Sequence, residues 1–325
     1  MKKMMISALL LTMCVAMSGC SSNQEPVQKE PSVQTGEQSQ GDKSVVIGVS
    51  LLTLEHVFYQ DIQKAIQDKA GELGVQVIIE DAESDLNTQF SQVQNFVTQE
   101  VDAILLCPVS TVGSSTAVDL AAEAGIPVFT LDNRSDSDKI ISHIAADNYL
   151  GGEVAAEYMA EKVLPEGGNV VVITEPDVES CLYREQGFLK YFEENPDTGI
   201  QILSTTDGDN DTNTAMSVMQ DLFTSFGEKI DAVYTVTDGM GFGVKSAIEA
   251  AGSDARIVSF TGNPQALAYI AEGTCFTATM RQDPDAMGGT SIENIVKYLK
   301  GEQVEKEMLV EPIPVDASNV NEYLK

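Results

Sequence analysis

From Ser44 onward, short runs rich in Val, Ile and Leu alternate with longer stretches whose apolar positions recur every third or fourth residue. The short runs predict β-strands and the longer stretches amphipathic helices. In chain order the pattern predicts a strand at 45–52, a helix at 58–73, a strand at 75–80, a helix at 85–99, a strand at 103–107, a helix at 114–124 and a strand at 127–131. A further strand at 140–144 is expected at a sheet edge. The alternation then begins again with a helix at 150–163. Strands are predicted at 169–174, 200–204, 232–237, 256–260 and 275–280, with helices at 183–195, 211–226, 243–251 and 264–272 between them. A helix at 284–299 and an extended tail at 308–315 close the chain. Strand and helix in alternation imply βαβ units, hence doubly wound parallel sheets with helices on both faces. Roughly 280 patterned residues exceed what one hydrophobic core usually supports, so two similar lobes are expected.

The first residues carry a different pattern. Lys2 and Lys3 form a basic start, Ile6 to Met17 is apolar apart from Ser7 and Thr12, and Met17-Ser18-Gly19-Cys20 follows. Residues 1–19 therefore read as a secretory signal peptide, since the apolar run is about half the ~20 residues a membrane-spanning helix requires. A cysteine after a small Ser-Gly pair resembles the lipobox of bacterial lipoproteins, with Met17 where leucine is usual. That resemblance implies cleavage before Cys20, a lipid on its sulfur, and attachment to the cell membrane, in the periplasm or on the cell surface. In the alternative, an ordinary secretory signal, Cys20 stays unmodified. Residues 20–43, rich in Ser, Gln, Glu, Pro and Gly, read as a flexible tether with little to bury.

Composition narrows the partners. The formal net charge is −31, and −33 once Lys2 and Lys3 leave with the signal. So acidic a surface repels phosphate backbones and excludes nucleic acid as a partner. With Cys14 lost and Cys20 lipidated, Cys107, Cys181 and Cys275 remain, too few and too far apart for a disulfide framework. His56 and His143 share no ligand spacing with them, so no metal site is expected. Gly239, Gly241 and Gly243 follow a predicted strand, but a dinucleotide loop needs its third glycine where Val244 stands. They are expected in a flexible strand-to-helix turn. No phosphate loop, nucleophile elbow or other catalytic set is present, so the chain reads as a non-enzyme without a cofactor, and as a monomer.

In open parallel sheets ligands bind beyond the carboxyl ends of the strands. The residues there are His56, Phe58 and Tyr59 after the first strand and Asp132 and Asn133 after the fourth. In the second half they are Arg184, Thr237 with Asp238, Thr261, and Gln282. Aromatics, carboxylates, an arginine and amides suit a sugar, whose ring offers apolar C–H faces for stacking and hydroxyls that both donate and accept. His143, in an apolar strand, reads as structural.

Val128-Phe129-Thr130-Leu131-Asp132, Ser142-His143-Ile144-Ala145-Ala146-Asp147-Asn148 with Gly151-Gly152, Ser217-Val218-Met219-Gln220-Asp221-Leu222 and Lys300-Gly301-Glu302 together resemble the ribose- and galactose-binding proteins, the type I periplasmic binding proteins of bacterial sugar ABC transporters. The resemblance covers nearly all of the chain after residue 43. It implies two doubly wound lobes joined by a three-segment hinge, residues 44–146 with 283–310 forming one and 147–282 with 311–325 the other. It implies that Phe58 and Tyr59 stack on the sugar, that Asp132 accepts from its hydroxyls, that Arg184 donates from the other lobe and that Gln282 lies near the hinge. Leu52 stands where that pattern has serine, His56 asparagine, Asn133 arginine, Asn210 an aromatic, Thr237 asparagine and Thr261 aspartate, which argues against ribose itself. The implied function is capture of a sugar-like solute for an ABC permease with a cytoplasmic ATPase. The alternative is a binding lipoprotein that reports a furanose-type signal to a membrane sensor. If Asp132 and Arg184 serve only the ligand, truncating either weakens binding and leaves the melting temperature nearly unchanged.

Overall fold

The structure, a computed structural model, describes residues 44–324. The first part of the chain runs β1 (Val46–Leu51), α1 (Val57–Leu73), β2 (Gln76–Asp81), α2 (Leu86–Thr98), β3 (Ala103–Leu106), α3 (Ser115–Glu123), β4 (Val128–Leu131) and β5 (Ile140–Ala146). Next come α4 (Asn148–Tyr158), which widens into a π-helical turn at Met159–Val163, then β6 (Gly168–Thr174), α5 (Glu179–Glu194), β7 (Ile200–Asp207) and α6 (Thr212–Phe226). The remainder is β8 (Ala232–Thr235), α7 (Asp238–Ala251), β9 (Arg256–Thr261), α8 (Pro264–Ala271), β10 (Phe276–Arg281), α9 (Pro284–Leu299), β11 (Glu307–Val310) and β12 (Ile313–Asp316).

The strands form two six-stranded sheets, ordered β11-β5-β4-β3-β1-β2 and β12-β10-β9-β8-β6-β7. All pairings are parallel except that of β12 with β10. Strands β3, β4 and β8 are buried along their whole length, which is why they read as unbroken apolar runs and not as alternation. In the first lobe α1 and α9 cover one face of the sheet, closing a core around Ile47, Val49, Phe129 and Ile292. Helices α2 and α3 cover the other, over Phe96, Ile104 and Leu106. The second lobe has one continuous core in which Phe188 stacks on Tyr234 with ring centroids 4.0 Å apart.

Side-chain caps fix where several helices start. Asp85 accepts from the Thr88 amide at 2.7 Å, Asp147 from Leu150 at 2.9 Å, Asp211 from Thr214 at 2.8 Å and Asp283 from Ala286 at 3.0 Å. Asp147 and Asp283 also stand where the chain passes between the sheets, after β5 and after β10; the third passage joins β11 to β12.

Three expectations change. Residues 140–144 lie inside the sheet and not at its edge, because β11 pairs alongside β5 from Glu307 opposite His143 to Val310 opposite Ala146. The glycines at 239, 241 and 243 lie within α7 and not in a turn. A side chain on Gly243 would come within 1.9 Å of the Thr212 carbonyl oxygen, so glycine there lets α6 and α7 pack closely. Helix α5 starts at Glu179, four residues before its predicted start. Among the described residues no helix is long and apolar enough to cross a membrane, and Cys107, Cys181 and Cys275 are free. The predicted signal, Cys20 and the tether lie outside the described residues.

Candidate ligand-binding cleft

Both sheets share one winding order, which reverses between β1 and β3 in the first lobe and between β6 and β8 in the second. Crevices at such switch points, beyond the strand carboxyl ends, are where open α/β sheets take ligands.

On the first lobe Phe58 and Tyr59 occupy the opening turn of α1, their rings edge to face at 5.1 Å. Tyr59 is buried and donates its hydroxyl to Asp132 Oδ2 at 2.8 Å. Asp132 follows β4 in the left-handed region, φ 65°, a conformation aspartate tolerates, and its amide is held by the Ile144 carbonyl at 2.8 Å. Burial raises the Asp132 carboxyl above its ordinary range, against the opposing effects of the Tyr59 hydrogen bond and the Arg184 charge. Burial, with Cys107 and Asp132 beside it, pushes the Tyr59 phenol far above its ordinary value, so it stays protonated and keeps its proton to donate. Tyr59 thus fixes one oxygen of Asp132 and leaves the other to accept. Asn133 is exposed and donates Nδ2 to the Pro108 carbonyl at 3.0 Å. His56 is exposed on the rim and precedes α1 without capping it.

On the second lobe Arg184 lies in the second turn of α5, 4% exposed. Its Nε donates to Asn148 Oδ1 at 2.9 Å, its Nη1 to the Val236 carbonyl at 3.1 Å, and the guanidinium sits 4.0 Å over the Phe260 ring. Burial lowers its proton affinity, while Asp132 is among the groups that raise it. Asp132 and Arg184 therefore face each other electrostatically from opposite lobes, yet no hydrogen bond or ion pair among the described residues joins them.

The other second-lobe residues divide. Thr237 precedes α7 in extended conformation without capping it and donates to Asn210 Oδ1 at 2.9 Å. Asp238 departs from expectation: it is wholly buried, and its carboxylate accepts from Ser259 Oγ, from Thr261 Oγ1 at 2.9 Å, from the Asn263 amide at 2.6 Å and from Thr279 Oγ1 at 2.8 Å. With its lone pairs taken inside the lobe it organises the ends of β9 and β10 rather than facing the cleft. Thr261, held at φ 125°, turns its hydroxyl inward to Asp238, and its carbonyl accepts the Gln282 amide at 3.3 Å. Gln282 is 9% exposed at the passage from β10 to α9.

His143 is buried with Nδ1 3.0 Å from Thr130 Oγ1, and burial lowers its pKa to about 4. A cavity of about 430 Å3 adjoins Asp132 and Asn133 and is walled by Asn148, Tyr149, Val178 and Tyr183, among others. None of these four is among the sequence-predicted site residues, although Val178 and Tyr183 lie in the stretch between β6 and Arg184; an exposed valine or tyrosine carries no sequence signal of a cavity. Among the described residues no group of His, Cys, Asp or Glu is placed to hold a metal ion.

Residues 47–303 match the family described as periplasmic binding protein domain. The ribose import binding protein of Bacillus subtilis (strain 168) is 32% identical over 300 residues, 92% of this chain and 94% of that one. Among solved structures, an ABC transporter solute binding protein from Bacillus halodurans C-125 with bound myo-inositol is 30% identical, with a TM-score of 0.69 over 87% of this chain and 98% of that one. An ABC transporter periplasmic solute binding protein from Actinobacillus succinogenes 130z with bound D-allose is 25% identical, with a TM-score of 0.72 over 86% and 100%.

Proposed function

This chain belongs to the periplasmic binding protein family, a binding protein and not an enzyme, and from that premise we propose that it captures a sugar or sugar-like polar solute outside the cytoplasm and delivers it to an ABC permease. The observation that carries the reading is the opposition of Asp132, oriented by Tyr59, and Arg184, oriented by Asn148 and Phe260. A polyhydroxylated ring that accepts from the arginine and donates to the carboxylate draws the lobes together through charge-assisted hydrogen bonds. Phe58 supplies a stacking face, and Asn133, Thr237, Gln282 and His56 offer further polar contacts at the rim. We assign residues 44–146 with 283–310 to one lobe and 147–282 with 311–325 to the other, with the passages between them as the hinge. Similarity to proteins that bind ribose, D-allose and myo-inositol favours a ligand of this chemistry.

The test is calorimetric titration with D-ribose, D-allose, D-galactose and myo-inositol, with small-angle scattering at saturation. Binding with a smaller radius of gyration supports capture by closure. Absence of binding to any sugar or polyol sinks the reading. A ligand confined to the folded state adds about 2.7 kcal/mol of stability at 100 times its Kd, so a thermal-shift screen widens the search cheaply. The signal at 1–19, a lipid on Cys20 and a tether to residue 43 complete the proposal, placing the monomer on the outer side of a membrane. Cys20→Ser tests it: a variant still in the detergent phase after partitioning removes the anchor and leaves the cleft untouched.

A further inference from the structure

We infer that the ligand is larger than one sugar ring, and that a second, uncharged glycosyl unit occupies the cavity beside Asp132 and Asn133. This rests on the sugar-binding reading above and extends it. Of the residues proposed to meet the sugar, only Asp132 and Asn133 line this cavity; Phe58, Thr237 and Gln282 stand outside it. A ligand that reaches both groups extends past Asp132 toward α4 and α5. The cavity, about 430 Å3, falls in the ~300–1,000 Å3 range of small-molecule sites.

Its walls have the amphipathic character a sugar ring needs. Tyr149, Val178, Tyr183 and Leu309 make up four of the eight large hydrophobic side chains exposed among the described residues, and all four line this one concavity. Apolar surface concentrated in this way marks a binding site, whereas scattered exposed residues do not. Tyr183 is steadied by its hydroxyl, which donates to Glu179 Oε1 at 3.2 Å, so its ring is presented as a fixed face for C–H stacking. Asp132, Asn133 and Ser180 supply groups for hydroxyls. Arg134, which lines the cavity, is already paired with Glu307, and Asp147, Glu179 and Glu307 also line the space, which disfavours a phosphate or carboxylate on the second unit.

The experiment titrates D-galactose, D-glucose and D-fructose beside the disaccharides lactose, melibiose, sucrose and trehalose into the full chain and two variants. Val178→Trp fills the cavity from an exposed position that no core depends on, and Tyr183→Ala removes its stacking wall. The expected result is that one disaccharide binds about tenfold or more tighter than either component, roughly 1.4 kcal/mol, and that each variant weakens it by about as much while changing monosaccharide binding less than about twofold. If a monosaccharide binds as tightly as every disaccharide, or if both variants keep full disaccharide affinity, the second unit is refuted and the sugar reading stands. If no sugar of either size binds, the sugar reading itself fails and takes this inference with it.

Discussion

Replacing Asp132 with asparagine separates what its charge does for the ligand from what that charge costs the fold. Asparagine keeps the shape and an oxygen that still accepts from the Tyr59 hydroxyl, now at 2.8 Å from Oδ2, so the lobe keeps its local geometry. The amide has only that one oxygen, so the position facing the ligand becomes Nδ2, a donor, and the ligand loses its charged acceptor. A hydrogen bond to a charged group contributes about 1.5–3 kcal/mol. At about 1.4 kcal/mol per decade, its loss weakens binding about 10- to 150-fold in Asp132→Asn, as in Asp132→Ala. The ligand-free protein responds in the opposite sense. Burial raises the Asp132 carboxyl in the folded state above its ordinary 3.8, so between those two values the native state binds more protons than the unfolded chain. Stability therefore falls as pH rises through that window, and above it the loss is complete and constant. Asparagine never ionises, so relative to wild type Asp132→Asn gains stability on going from acid to neutral pH. Urea unfolding of both proteins without ligand, from pH 3.5 to 7.5, reads this as a difference curve, in which Asp238 cancels because both carry it. A variant that binds with full affinity, or whose stability relative to wild type falls as pH rises, refutes the argument.

Arg184→Ala weakens ligand binding and, contrary to the sequence-based expectation, also lowers the melting temperature without ligand. It strips the buried Val236 carbonyl of its donor at about 1–3 kcal/mol, each worth roughly 2–4 °C, so differential scanning calorimetry that finds an unchanged midpoint would show the arginine serving the ligand alone. Gly152→Ala places a methyl 2.1 Å from the Arg184 carbonyl oxygen and 2.7 Å from the Phe188 nitrogen, forcing α4 from α5. Overpacking of this kind costs about 1–3 kcal/mol and displaces Arg184 from Asn148, so stability by denaturation and affinity by calorimetry fall together; wild-type values of both would show that the helices part freely. His143, held neutral to about pH 4 against an ordinary 6.5, binds fewer protons folded than unfolded in that interval, so stability rises from pH 4 to 6.5. His143→Asn removes that rise, and an identical pH slope in the variant would assign it to other groups.

The chain's own pattern determined much of this. Apolar runs buried on both faces, as in β3, β4 and β8, mark parallel strands covered by helices, because that signal is local. The stretches beyond β1, β4 and β6 then bring Tyr59, Asp132 and Arg184 into view as one group. What the tertiary structure decided depends on partners distant in sequence. Strand β5 reads as an edge until β11, more than 150 residues later, pairs with it. Asp238 stands after a strand as Asp132 does, and only the convergence of Ser259, Thr261, Asn263 and Thr279 turns it inward. Gly243, which reads as part of a loose turn, becomes the close contact of α7 with α6 because the Thr212 backbone approaches within a side chain's width. Periodicity reports that a face is buried or exposed, whereas hydrogen-bond saturation, close helix approach and a cavity walled by several elements are properties of whatever the rest of the chain brings to that face.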